Sequence, residues 1–193
     1  MKFFKIIADP PWLFSDKLTM SSVKRGAGEQ YQTLNVARLK KLGPLVQAAA
    51  GEDAVLALWF VSSQVSAALG VMESWGFSQK QVWTWVKTTK DGNGLAFGMG
   101  RLSRNCTENL LVGTRGKVYK HLETRSERNA FMSPATRHSV KPNEVHAKLD
   151  RMFPTQPGLE LFARRPYSGW TTLGAECPED GKDIFTSLSE FAE

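Results

Sequence analysis

Cysteine is scarce in this chain, and long apolar runs and repeats are missing. Two cysteines, Cys106 and Cys177, stand among 193 residues. That is too few for a zinc cluster or a disulfide-stapled secreted scaffold, so both read as free thiols of a reducing cytoplasm. No run of about 18 apolar residues occurs, which excludes a spanning helix of ordinary hydropathy. The opening Met1-Lys2-Phe3-Phe4-Lys5-Ile6-Ile7-Ala8-Asp9 is too short and too soon acidic for a secretory leader. No G-x-G-x-x-G opens the chain, so a dinucleotide fingerprint is absent. Without repeats or low-complexity tracts, collagen, coiled coil and solenoid are excluded as well.

What is present is a chain of one-domain size, long enough to bury about 70% of its extended surface. Its net charge is +6, unevenly spread. Residues 176–193 hold six acids and one base, and residues 1–175 hold 24 bases against 13 acids. The stretch 101–151 has 11 Lys and Arg against five acids. A basic body with an acidic tail suits a polyanionic partner, nucleic acid first, although a solvated basic surface would have the same composition.

The pattern along the chain predicts alternating strands and helices. Phe3 to Ala8 reads as a strand stopped by Pro10 and Pro11, which cannot donate ladder hydrogen bonds. Residues 13–33 form a long polar loop. Residues 35–50 are helical with a break at Pro44, and Ala54 to Val61 is a strand buried on both faces. Ser62-Ser63-Gln64 can cap a helix that places Val65, Leu69 and Met72 on one face. Phe77 to Lys87 alternates as a strand, followed by a glycine-rich loop over 88–104. Asn109 to Gly113 is another buried strand, and 115–140 a second long basic loop. Pro142 opens a helix with Val145, Leu149 and Met152 in one stripe. Gly158 to Ala163 and Trp170 to Leu173 are the last strands. This order means an α/β fold with an open, mostly parallel sheet.

The most informative stretch is Asp9-Pro10-Pro11-Trp12. Ligands in open α/β sheets bind beyond the carboxyl ends of strands, where these residues lie. Asp9 offers carboxylate acceptors, and Pro10 offers a carbonyl on a backbone stiffened by Pro11. Trp12 offers a π face for stacking. The set suits a planar heterocycle with an exocyclic amine, such as adenine.

Ala8-Asp9-Pro10-Pro11-Trp12 after a short strand resembles the motif of amino-group methyltransferases, in the DPPW form of the MT-A70 family of N6-adenine methyltransferases. Further segments are similar in the same order. They are Tyr31 in EQYQTL, Leu58-Trp59, Trp75-Gly76-Phe77, Trp85-Val86-Lys87, and Asn105, Glu108 and Leu111 to Gly116. His138 with Lys141 to Glu144, Leu159 to Arg164, and Trp170 with Leu173-Gly174 complete the series. The resemblance covers residues 3–176, and the chain's size is similar to that of small bacterial and bacteriophage members.

The resemblance implies a Rossmann-like methyltransferase sheet in permuted order, with the DPPW strand first, and S-adenosylmethionine as cofactor with no metal. Residues 1–176 would form the methyltransferase domain, with substrate-binding loops within 13–33 and 88–140, and residues 177–193 an acidic tail. The implied catalytic residues are Asp9, Pro10, Pro11 and Trp12. Cofactor contacts are implied for Ala8, Asp9, Lys141, Glu160, Phe162, Arg164 and Glu176, with Lys141 on the cofactor carboxylate and Arg164, Glu160 and Glu176 on its ribose side. Lys141 as a solvated charge and Glu160 as a strand residue facing an arginine are the plainer readings. Substrate contacts are implied for Trp12, Tyr31, Trp59, Lys87, Asn105, Glu108 and His138, the histidine being equally readable as structural. The implied activity is adenine-N6 methylation, on DNA in preference to RNA. Cytosine-N4 methylation and a catalytically silent nucleic-acid-binding subunit are the alternatives. The implied setting is a bacterial cytoplasm, with phage encoding as the alternative origin, as a monomer, a homodimer or with a helper chain.

Overall fold

The chain is described by a computed structural model over residues 2–13, 34–100, 102–135 and 140–191. The described strands are β1 (Phe3–Ala8), β2 (Ala50–Phe60), β3 (Ser78–Thr88), β4 (Thr107–Arg115), β5 (Ala130–Pro134), β6 (Gly158–Leu161) and β7 (Trp170–Leu173). They lie in one sheet in the order β5-β3-β4-β2-β1-β6-β7. β4 runs antiparallel to β2 and β3, and every other neighbouring pair is parallel. The helices are α1 (Val36–Lys41), α2 (Gly43–Ala49), α3 (Val65–Ser74), α4 (Glu144–Met152) and α5 (Ile184–Ser189). This is the α/β, Rossmann-like sheet with the DPPW strand first.

Alternation along the strands builds two cores, because successive side chains leave a strand on opposite faces. Ile6, Leu56, Leu58, Leu111, Leu159 and Leu161 face α1, α2, α3 and α5. Ile7, Val55, Ala57, Trp59, Trp83, Trp85 and Leu110 face α4. The unbroken apolar run of β2 is thus explained by burial on both faces. Trp75 is fully buried, and its indole N–H donates to the Leu39 carbonyl at 2.8 Å, fastening the end of α3 to α1.

Several local readings need correction. The buried stripe of α3 is Ala68, Val71 and Met72, while Val65 faces solvent at 41% exposure. Packing against α1, β2, β3 and β4, and not the apolar spacing alone, sets this rotation. The stretch 115–140 is not all loop: it contains a 3-10 turn, Val118–His121, and the edge strand β5. β5 is short and ends on Pro134, which a parallel edge tolerates and which hid it from pattern reading. The α4 helix starts at Glu144, two residues after Pro142. The acidic segment after Gly174 is packed on the first core, with Cys177, Ile184 and Leu188 buried and Phe191 edge-on to Phe3 at 5.3 Å.

Candidate active site

All strands except β4 point their carboxyl ends to one edge of the sheet, and β4 brings its first residues to the same edge. Asp9 follows β1, Val61 follows β2, Phe162 follows β6 and Gly174 follows β7. Lys87 near the end of β3 and Glu108 near the start of β4 join them, through the pairing of Trp85 with Glu108.

The Asp9-Pro10-Pro11-Trp12 backbone is held from both sides. The Asp9 N–H donates to the Leu161 carbonyl at 3.3 Å. The Trp12 N–H donates to the Pro10 carbonyl at 2.9 Å, closing a three-residue turn around Pro11, whose ring-fixed φ suits that turn. The Leu34 N–H donates to the Pro11 carbonyl at 2.9 Å and the Leu13 N–H to the Leu34 carbonyl at 3.3 Å. Two prolines with no N–H and these ties leave Asp9 little freedom.

Two cavities meet at Asp9. The first, about 360 Å³, is walled by Trp59, the Lys141–Asn143 segment, His146, Glu160, Arg165 and Tyr167. The second, about 490 Å³, is walled by Pro11, Leu34, Ala163, Gly174, Ala175, Glu176 and Ile184. Asp9, Phe162 and Arg164 line both. Phe162 has φ +62°, the one non-glycine in the left-handed region among the described residues. Such a conformation costs on the order of 1 kcal/mol and persists only where surroundings impose it. It turns the chain out of β6 where Phe162 lines both cavities and packs against the first core. Gly174 makes room for that turn, since a Cβ there would run into the Ala163 carbonyl.

A chain of alternating charges crosses the edge. The Lys141 ammonium lies 3.0 Å from Asp9 Oδ2 and 3.3 Å from Glu108 Oε2, and Lys87 holds Glu108 Oε1. Lys141 also sits 5.4 Å from the centre of the Trp59 ring. Burial pushes the Asp9 carboxyl above its ordinary value, with Lys141 and Arg164 opposing the shift. For Lys141, burial works against the charge, yet Asp9 and Glu108 together hold its ammonium above the usual lysine value. Burial also opposes the charge of Glu108, but Lys141 and Lys87 bring its carboxyl below its ordinary value. The result is a cation clamped between two carboxylates in a partly desolvated cleft.

The comparisons with known proteins agree with this geometry. The family model described as MT-A70 matches residues 3–176. The chain belongs to the MT-A70 family. It is 31% identical to the Type II methyltransferase M.MunI of Mycoplasma sp, over 96% of this chain and 82% of that protein. It is 28% identical to an N(6)-adenosine-methyltransferase MT-A70-like protein of Arabidopsis thaliana, over 89% of this chain and 23% of that one. It is 26% identical to the human N(6)-adenosine-methyltransferase catalytic subunit METTL3, over 90% of this chain and 28% of that one. The chain therefore spans most of the Mycoplasma relative and about a quarter of these two eukaryotic ones.

In this MT-A70 methyltransferase, Asp9, Lys141, Glu160, Phe162 and Arg164 are brought together around the cavities, and Glu176 lines the second one. Ala8 is fully buried just before Asp9. Two expectations change, those for Trp12 and Asn105, and the one for Lys141 is extended. Trp12 presents no open stacking face: it is 4% exposed, and its indole N–H donates to the Trp59 carbonyl at 2.9 Å, so it pins β1 to β2. The Lys141 ammonium sits on Asp9 and Glu108, a placement invisible before the strands are assembled. Asn105 lies outside both cavities and donates to the Met99 carbonyl at 2.9 Å, stiffening the glycine-rich arm beyond β3. Tyr31 and His138 lie outside the described residues.

Sequence reading missed Arg165, Tyr167 and His146 as parts of the site. Arg165 donates to Asn143 Oδ1 at 2.6 Å and to the Lys141 carbonyl at 3.2 Å. Its signal was adjacency to Arg164. Among the described residues no cluster of His, Cys, Asp and Glu could hold a metal, and no helix is long and apolar enough to cross a membrane.

Proposed function

We propose that this methyltransferase moves the methyl group of S-adenosylmethionine to the N6 amine of adenine in nucleic acid, with DNA as the substrate. The observation that carries the reading is Asp9: a carboxylate at the junction of two cavities, on a backbone that two prolines make rigid.

The wall chemistry fits the cofactor. The second cavity combines the apolar Leu34 and Ile184 with the Glu176 carboxylate, which suits a nucleoside whose ribose hydroxyls need an acceptor. Beyond the shared Asp9 and Arg164, the first adds the Glu160 carboxylate and the cations Lys141 and Arg165, which suits a zwitterionic amino-acid group. When bound, S-adenosylmethionine supplies a methyl group on a positively charged sulfur.

The residues then have separable tasks. Lys141 holds Oδ2 of Asp9, so Oδ1 is offered to an N6 hydrogen of the target. A hydrogen bond there draws the amine lone pair out of the ring plane and steadies positive charge as it develops on nitrogen. The raised proton affinity of Asp9 suits it to receive the proton that N6 sheds once the new bond has formed. Phe162 and Arg164, shared by both cavities, keep the reacting groups in line, the main requirement of a displacement that needs no metal. A target inside a duplex has to leave the stack to reach Asp9. The choice of DNA rests on the better match to the Mycoplasma Type II methyltransferase, covered over 82% of its length, than to the adenosine methyltransferases, covered over about a quarter of theirs.

The test is incubation of the full chain with methyl-labelled cofactor and either DNA or RNA, followed by digestion and mass analysis of the nucleosides. N6-methyladenine from DNA is the expected product. N4-methylcytosine, or label in RNA alone, overturns the substrate; no label in either overturns the activity.

A further inference from the structure

His146 is buried at 6% exposure, in the first turn of α4, and its two ring nitrogens have opposite fates. Nε2 lies 2.9 Å from Glu160 Oε2. Nδ1 has no partner among the described residues and no solvent access. An ionised carboxylate only accepts hydrogen bonds, so Nε2 carries a hydrogen and Nδ1 is left buried and unsatisfied. That orphan costs stability, and a phenyl ring would fill the same slot without it. The slot is already aromatic: Tyr167 stacks on the imidazole with centroids 4.2 Å apart and planes 23° from parallel, and Trp170 meets it edge-on at 4.9 Å. These two rings fix the tilt of the imidazole, and the tilt fixes the direction of the Nε2–H. What the imidazole adds beyond packing is a single aimed donor on Glu160.

We propose that His146 is a positioning residue, holding the Glu160 carboxylate so that it receives the ammonium of the cofactor's amino-acid end in the 360 Å³ cavity. The inference rests on the cofactor reading above and deepens it. Glu160 sits on β6 between Ile7 of β1 and Thr172 of β7, so its backbone is fixed and its side chain is the only part left to aim. Without the Nε2–H, the carboxylate is free to rotate toward other donors around the cavity.

Calorimetry on the full chain with two probes tests this. S-adenosylhomocysteine carries the amino-acid end; 5′-methylthioadenosine has the adenosine and the thioether without it. His146→Phe keeps the ring stack and removes the donor, and His146→Gln restores a donor. The expected result is that His146→Phe weakens S-adenosylhomocysteine about tenfold or more, the scale of a hydrogen bond to a charged group. The methylthioadenosine affinity stays within about twofold, His146→Gln recovers most of the loss, and adding Glu160→Gln to His146→Phe weakens binding no further. Unchanged S-adenosylhomocysteine binding by His146→Phe overturns the proposal, as does an equal loss for both probes. If the wild-type chain binds neither probe, the cofactor reading itself fails and this inference falls with it.

Discussion

Two aspartates on neighbouring parallel strands sit at opposite ends of the sheet and have opposite electrostatics. Asp53, near the start of β2, is as little exposed as Asp9 but meets three donors: Lys120 Nζ at 2.7 Å, the Lys117 N–H at 2.6 Å and His121 Nε2 at 3.1 Å. Those hydrogen bonds hold its carboxyl well below the ordinary value. It also closes the Gly116 turn, where φ is +66° and a side chain would strike Asp53. Asp9, just past β1, loses more from burial than its cation returns, and its carboxyl is pushed up. The ionised form of Asp53 supports the fold, whereas the ionised form of Asp9 is held at some expense to it. An acid kept under strain at the functional edge and an acid satisfied at the opposite one divide stability from chemistry along the same sheet.

The sharpest way to break this comparison is to neutralise each acid without changing its shape. Asp9→Asn is expected to lower methylation by about 10²–10³-fold, the scale of losing one preorganised electrostatic contact. Its melting temperature should hold, because Lys141 keeps Glu108 as partner. A fall in melting temperature as large as the loss of activity would show that Asp9 is structural. Lys141→Met is expected to weaken S-adenosylhomocysteine binding about tenfold by calorimetry. It should also move the acid limb of the pH–rate profile to higher pH, since removing the cation raises Asp9 further. An acid limb that stays in place would detach Lys141 from Asp9.

Asp53→Asn should do the reverse of Asp9→Asn, keeping full methylation while lowering the melting temperature by a few degrees. The sign of the pH dependence separates the two as well. A carboxylate with a depressed folded value contributes stability that is present above its unfolded value, near 4, and lost as pH falls through the folded one. Asp53 behaves so, and so does Glu127, which Arg151 and Lys148 bring down to about 2. Urea midpoints measured from pH 7 to pH 2 should fall below about pH 4 in the wild type. They should fall less in Asp53→Asn and least in Asp53→Asn with Glu127→Gln. Asp9, raised when folded, has the opposite sign: its protonation relieves the folded state. A steeper acid loss in the double variant than in the wild type would invert the assignment.

Much of this molecule was legible in one dimension. Strand β1, its stop at the two prolines and the acid at its end followed from side-chain branching and from proline's missing N–H. The two-faced burial of β2 showed in its unbroken apolar run. The family resemblance marked most of the residues that line the cavities. Legibility failed where a partner distant in sequence settles the outcome. Trp12 reads as a stacking face until β2 closes over it and the Trp59 carbonyl takes its N–H. Lys141 reads only as a cofactor contact, and its second place, between Asp9 and Glu108, exists only once the fold brings it to residues as far as 132 positions away.

The sequence by itself determined the α/β alternation, the rigid bend and the chemical types at the sheet edge, because these follow from local backbone constraints and the period of the apolar residues. Only the tertiary structure decided which charges meet, which ring faces stay open and which carboxyl is forced upward. Those outcomes depend on distance and desolvation, and neither quantity exists until the strands are laid side by side.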